Sequence, residues 1–403
     1  MSGGRETTTD ANHDFLCARL RGEAVPISAA MVATARQHRI HLVLAAAAGS
    51  SEPAGAAGET LRGELRRAVG VDLIRERTLR DLLELFAAAG VDALLLKGAG
   101  LAYTVYPAAY LRPHVDVDLM IARTQLERAE HALEAAGWIH PAEPEGELVT
   151  GQRHHVLQDG EAFAEHLDLH WRIANPRLFC DAVVFEELFS RAVRIAALGP
   201  AARTLSPPDA LFVACLHRVA HHGDEIDLLW LWDIHLLASR LSADERAHFV
   251  GLAERESMRA VCSRGLELAS GRFRTAGAAE LIGALWPRRE QREEGQEGQE
   301  GQEGQEGQEG QEEPEPSARF LDGGLRQVDR LQTDLLTLRG WRARLTFVGE
   351  HLFPSVAYMR STYPRCPAAV LPLAYVHRIV RGAPTWFRRP FINGTRVRRG
   401  RVE

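Results

Sequence analysis

Asp116 and Asp118 alternate with aliphatic residues in the run Val115-Asp116-Val117-Asp118-Leu119-Met120-Ile121. Successive side chains of a β-strand point to opposite faces, so the two carboxylates share one face and Val115, Val117 and Leu119 the other. The aliphatic face can be buried. Two adjacent anions cannot, unless positive charge neutralises them. A divalent cation does this well, and Mg²⁺ in particular takes carboxylate oxygens together with phosphate oxygens of a substrate. Upstream, the apolar run Leu94-Leu95-Leu96 ends in Lys97-Gly98-Ala99-Gly100. Lysine and arginine total 48, and Lys97 is the only lysine. A compact ammonium beside a glycine, where backbone can approach closely, suits phosphate oxygens.

These two patches resemble the nucleotidyltransferase superfamily related to DNA polymerase β. Within it, Leu96-Lys97-Gly98, a region of tyrosine and arginine, and then Asp116-Val117-Asp118-Leu119 is similar to the bacterial family of uncharacterised nucleotidyltransferases. The resemblance implies an α+β fold, a small mixed β-sheet core flanked by N-terminal and C-terminal helical regions. It implies transfer of a nucleoside monophosphate from an NTP to a hydroxyl acceptor, with Mg²⁺ or Mn²⁺ as cofactor. A third carboxylate on a later strand is implied too, and Asp168 in Glu165-His166-Leu167-Asp168-Leu169-His170-Trp171 is the residue available. Asp116, Asp118 and Asp168 are then the catalytic and metal-holding set. Lys97, Gly98, Ala99 and Arg112 face the nucleotide, with His170 and His217 as accessory candidates. The chain departs from the superfamily's usual Gly-Ser, having Gly98-Ala99 instead. That departure makes a binding or scaffold protein on a degenerate fold the alternative. A hydrolase using His166, Asp168 and His170 with His154 and His155 is a weaker third reading.

The totals set outer bounds. With 403 residues, 45% hydrophobic and 25% charged, the composition is that of an ordinary globular chain with room for two or three domains. A formal net charge of −6 gives no global basic footprint for nucleic acid, which stays a weaker expectation as partner than the NTP and a small-molecule or protein acceptor. Five scattered cysteines without a Cys-x-x-Cys pair argue against a disulfide framework and a cysteine zinc site. The polar start lacks an apolar signal core, and no apolar run reaches the roughly 18–20 residues of a membrane span. The expectation is therefore a cytoplasmic protein with no membrane partner.

The positioning elements follow in order. Residues 1–24 read as a flexible N-terminal arm, and 25–90 as a helical region with one helix over Ile27–Ala48 and a long one over Glu59–Ala89. The catalytic core spans 91–200. It opens with a strand at Val91–Leu96, a helix over Gly98–Tyr106 and the aspartate strand, followed by a helix over Thr124–Ala136 with Thr124 as N-cap. Trp138-Ile139 starts a strand, and 152–159 with 161–171 form a hairpin turning near Asp159-Gly160. Asp168 meets Asp118 only if the second hairpin strand lies beside the aspartate strand. Residues 201–290 read as all-helical, with His217 and His221 on one helix face. Uninterrupted Gly-Gln-Glu triplets over 295–312 mark 291–318 as a disordered linker. The segment 319–403 reads as helical, with helices over Phe320–Leu338 and Leu345–Tyr358 and an arginine-rich, aromatic tail from His377.

Overall fold

The computed structural model describes residues 4–48, 55–159, 163–286, 315–322 and 325–387. The repeat over 295–312 and the arginines beyond 387 lie outside the described residues. Six strands form one mixed sheet: β1 (Ala93–Leu95), β2 (Val117–Ile121), β3 (Gln152–Asp159), β4 (Phe163–His170), β5 (Val193–Arg194) and β6 (Arg203–Thr204). Their order is β3-β4-β2-β1-β6-β5. β1 runs antiparallel to β2 and parallel to β6, while β2 runs parallel to β4. The fold is thus α+β, as expected.

Both central strands are buried on both faces, and alternation divides their side chains between two cores. Val117, Leu119 and Ile121, with Leu95, Leu167 and Leu169, pack against Leu79, Leu82, Leu83 and Phe86 of the helix Ala56–Ala88 and Leu126, Ala129 and Leu133 of the helix Leu126–Ala135. Leu94, Leu96 and Met120 enter the larger core with Leu205, Phe212 and Leu216 of the helical region. Asp118 lies between Leu119 and Val117 in sequence and so shares the face of Met120. The acidic face of β2 is therefore turned toward the helices after residue 206.

Several sequence expectations need correction. The supposed arm contains a helix, Gly4–Leu20, whose Leu16 and Cys17 lie in the larger core. The expected single helix over 27–48 is two, Ala29–Gln37 and His41–Ala48, parted where Arg39 takes a left-handed φ of 55°. The helix before residue 136 starts at Leu126, after a 3₁₀ turn, so Thr124 is not its cap. Asp116 and Val115 precede β2 rather than lying in it, and Val115 is 71% exposed instead of buried. Trp138-Ile139 makes only an isolated bridge, Ile139 to Val156. The end of the expected linker is docked: Glu315 accepts from the Ala260 amide at 2.9 Å, and Ser317 donates to the Ser257 carbonyl at 2.8 Å. The helix expected over 320–338 begins only at Gln327, and that over 345–358 is two, Trp341–Leu352 and Val356–Thr362.

The C-terminal helices hold the core through carboxylates. Asp334 accepts from the Arg177 amide at 2.7 Å. Glu350 accepts from three successive amides, Glu147 at 3.0 Å, Leu148 at 2.9 Å and Val149 at 3.2 Å, in the loop that leads into β3. Backbone amides turned inward in this way form a cradle for an anion.

The burial of Leu16 generates a prediction. Leu16→Ala should lower unfolding stability by about 2–5 kcal/mol through the cavity it leaves, measured by chemical denaturation. An unchanged midpoint would return the segment to a loose arm.

Candidate active site

The chain leaves β1 at Leu96, whose amide still donates to the Asp118 carbonyl at 2.9 Å, and turns at once into the helix Lys97–Thr104. Lys97 makes the turn with a left-handed φ of 37°. A non-glycine residue held there costs on the order of 1–3 kcal/mol, and such strain clusters at functional sites. Gly98 follows where space is tight. A Cβ there would lie 3.0 Å from an Arg112 guanidinium nitrogen and 3.1 Å from the His114 Cβ. The turn aims Lys97 back over the sheet, with Nζ 2.9 Å from Asp118 Oδ1. Ala99 points the other way, into the smaller core.

The pairing required of the hairpin is present. β4 lies beside β2 with Asp168 directly opposite Asp118. Asp118, Asp168 and His170 each offer one ligand atom, all within 4.8 Å of one another. Asp116 stands half-buried just outside this group. Burial raises its carboxyl above the usual range, and the charges of Asp118 and Asp168 raise it further. Burial also works to raise Asp118. The Lys97 charge and the His170 contact outweigh it and hold that carboxyl well below its usual range.

This donor set fits a divalent cation. Three carboxylates crowd one place against a single ammonium. His170 is fully buried, and its Nδ1 donates to the Arg172 carbonyl at 3.3 Å. Nε2 lies 2.9 Å from Asp118 Oδ1, to which it donates when protonated, and is the atom that would turn to a cation. A metal-bound histidine commonly donates its other ring N–H to a carbonyl in this manner.

Asp168 is oriented by side chains that the sequence reading did not place in the core site. His154 Nδ1 donates to Asp168 Oδ1 at 2.9 Å, and Gln152 donates to Oδ2 at 3.1 Å. His166 Nδ1 lies 3.2 Å from His154 Nε2, with the two rings stacked. Their signal was available: positions 152, 154, 166, 168 and 170 all fall on one sheet face by alternation. His155, on the opposite face of β3, is buried beside His140 instead.

Arg112 is placed differently from the expectation of a phosphate ligand. It is 7% exposed, and its guanidinium forks onto Asp233 at 2.7 and 3.3 Å. Tyr106 donates to the same carboxylate at 2.6 Å. Arg112 therefore lies under Gly98 as part of a buried unit that joins the Lys-Gly turn to the helix Leu228–Ala238. His217 does reach the site, from the helix Pro207–Ala220. Burial, and next the Lys97 charge, push its imidazole well down and that of His221 to about 3. Both are neutral imidazoles facing the ammonium.

The arrangement can hold a cation on one side and present an ammonium and a helix N-terminus to phosphate oxygens on the other. A family model described as uncharacterised nucleotidyltransferase matches residues 28–274. No curated protein matches the chain.

Removing one partner of a buried ion pair strands the other charge. Asp233→Ala should therefore destabilise the fold by about 3–5 kcal/mol in denaturant melts. Adding Arg112→Met to that variant should restore part of the loss. No recovery would mean that Asp233 acts independently of Arg112.

Proposed function

The chain belongs to the uncharacterised nucleotidyltransferase family, and on that premise we propose that it transfers a nucleoside monophosphate from an NTP to a hydroxyl acceptor. The observation that carries this reading is the register of Asp118 against Asp168, with His170 and Lys97 closing on the same carboxylate. Asp118 and Asp168, joined by Asp116, would hold Mg²⁺ or Mn²⁺. Oxygen-rich donor sets suit these hard ions, and one imidazole is compatible with Mn²⁺. When bound, the cation supplies compensation for charge developing on phosphate oxygens.

The chain's own residues do the rest by positioning and electrostatics. The acceptor oxygen attacks the α-phosphorus in line, the bond to the β-phosphate bridging oxygen breaks, and pyrophosphate leaves. Lys97 is the nearest positive charge for the leaving phosphates. The free amides at the start of the helix Lys97–Thr104 point the same way. Gly98 lets phosphate oxygens approach its backbone. Asp168 stands as the acceptor's general base, its oxygens kept in place by His154 and Gln152. His217 and His221 line the helical side, where neutral rings neither repel Lys97 nor compete with it.

Binding of the four NTPs to purified protein, with Mg²⁺ and then with EDTA, tests the reading. Wild type should bind at least one NTP only with the metal, and Asp118→Ala should weaken that binding by more than about tenfold. Asp168→Asn should leave the fold intact and abolish transfer. His154→Ala should lower metal affinity by about 10–100-fold, as loss of an outer-sphere partner does. If no NTP binds under either condition, the fold serves as a scaffold; Ala99 does not bear on that choice, because its side chain is packed in the smaller core rather than turned to the site.

A further inference from the structure

The helix Leu371–Phe387 is fixed to its neighbours along a narrow seam. Leu371 and Ala374 are buried with Met359, and Tyr358, Tyr363 and Tyr375 close around them. Arg378 donates to the His351 carbonyl at 3.0 Å. The other side of the helix is apolar and faces water. At about 3.6 residues per turn, Leu373, Val376, Val380 and Phe387 fall on one stripe. Their exposures are 68%, 57%, 66% and 60%. Arg381 stands exposed at its edge.

The charge of the sequence that carries this stripe is one-sided. Residues 351–402 contain ten arginines and no aspartate or glutamate, in a chain whose formal net charge is −6. An apolar stripe left open to water among the described residues, in a sequence segment this basic, marks an interaction surface. We propose that this helix docks the protein on an anionic lipid surface, lying in the headgroup plane with Leu373, Val376, Val380 and Phe387 turned into the acyl boundary.

Charge and side-chain type together select this occupant. Arginines would also draw a nucleic acid, but its bases stack on rings, and three of the four stripe residues are aliphatic. The sequence reading set membranes aside because no run is long enough to span one, and no described helix is long and apolar enough to cross a membrane. A helix that lies along the surface needs no such run.

The test uses the full chain. Protein is pelleted with phosphatidylcholine vesicles, and with vesicles in which about a third of the lipid is phosphatidylglycerol. Wild type should pellet with the anionic vesicles alone, and less as salt rises. Val376→Glu/Val380→Glu should cut the bound fraction at least about tenfold. Both positions face water in the free protein, so this variant should keep its circular dichroism spectrum and thermal transition. Absence of binding to anionic vesicles overturns the proposal, as does equal binding by the variant. Capture of single-stranded RNA without vesicle binding would assign the helix to nucleic acid. A dimer that the variant dissolves, again without vesicle binding, would assign the stripe to a second copy of the chain.

Discussion

Three carboxylates gathered at neighbouring strand ends are the constraint around which this molecule is arranged. Burial raises the Asp116 carboxyl above its usual range, and the neighbouring charges of Asp118 and Asp168 raise it further. The fold sets one ammonium against them, and it does so by bending the backbone at Lys97 into a conformation that lysine seldom adopts. Gly98 is then the residue that can follow, since the space beside it is filled by Arg112 and His114. Strain at the turn and crowding at the glycine are two faces of one requirement, which is to hold a cation over the acidic face of β2.

The same requirement explains why the helices after residue 206 belong to the site. Arg112 approaches Gly98 from below and would be a buried, uncompensated charge without Asp233. Tyr106 closes that unit from the helix side of the turn. A carboxylate supplied from the helix Leu228–Ala238 thus braces the loop that carries Lys97. Arg112, Tyr106 and Asp233 make a buried polar contact between the core and the helical region, beside the apolar packing of Leu94, Leu96 and Met120 with Leu205 and Phe212.

The strand position of Asp118 was legible from period-two alternation, and the Lys-Gly turn from an apolar run stopped by a glycine, whereas Asp116 falls just before the strand and Asp168 was singled out only by the family resemblance. The helix Ala56–Ala88 was legible from its long apolar stripe. What escaped was set by distance along the chain. Arg112 reads as a free basic residue until Asp233, 121 positions away, comes to meet it. His154 was visible as a histidine on the right face, but its partner depends on hairpin register, and a shift of one residue in the turn changes every cross-strand neighbour. The N-terminal helix escaped because polar residues dominate its start, while the apolar face that docks is confined to Phe15–Leu20, of which Leu16, Cys17 and Leu20 reach the larger core. Arg39 divides a continuous apolar pattern by a backbone angle that periodicity does not encode.

The cradle that captures Glu350 has a thermodynamic consequence. The amides of Glu147, Leu148 and Val149 belong to the loop that enters β3, and β3 carries Gln152 and His154 to Asp168. The helix that ends beside Glu350 is in turn bonded to the Leu371–Phe387 helix through the His351 carbonyl. One loop is therefore common to the C-terminal helices and to the strand that orients Asp168. Tension on this loop is felt at both ends: a change that loosens the hold of Glu350 on the three amides would also loosen the strand that keeps Gln152 and His154 against Asp168.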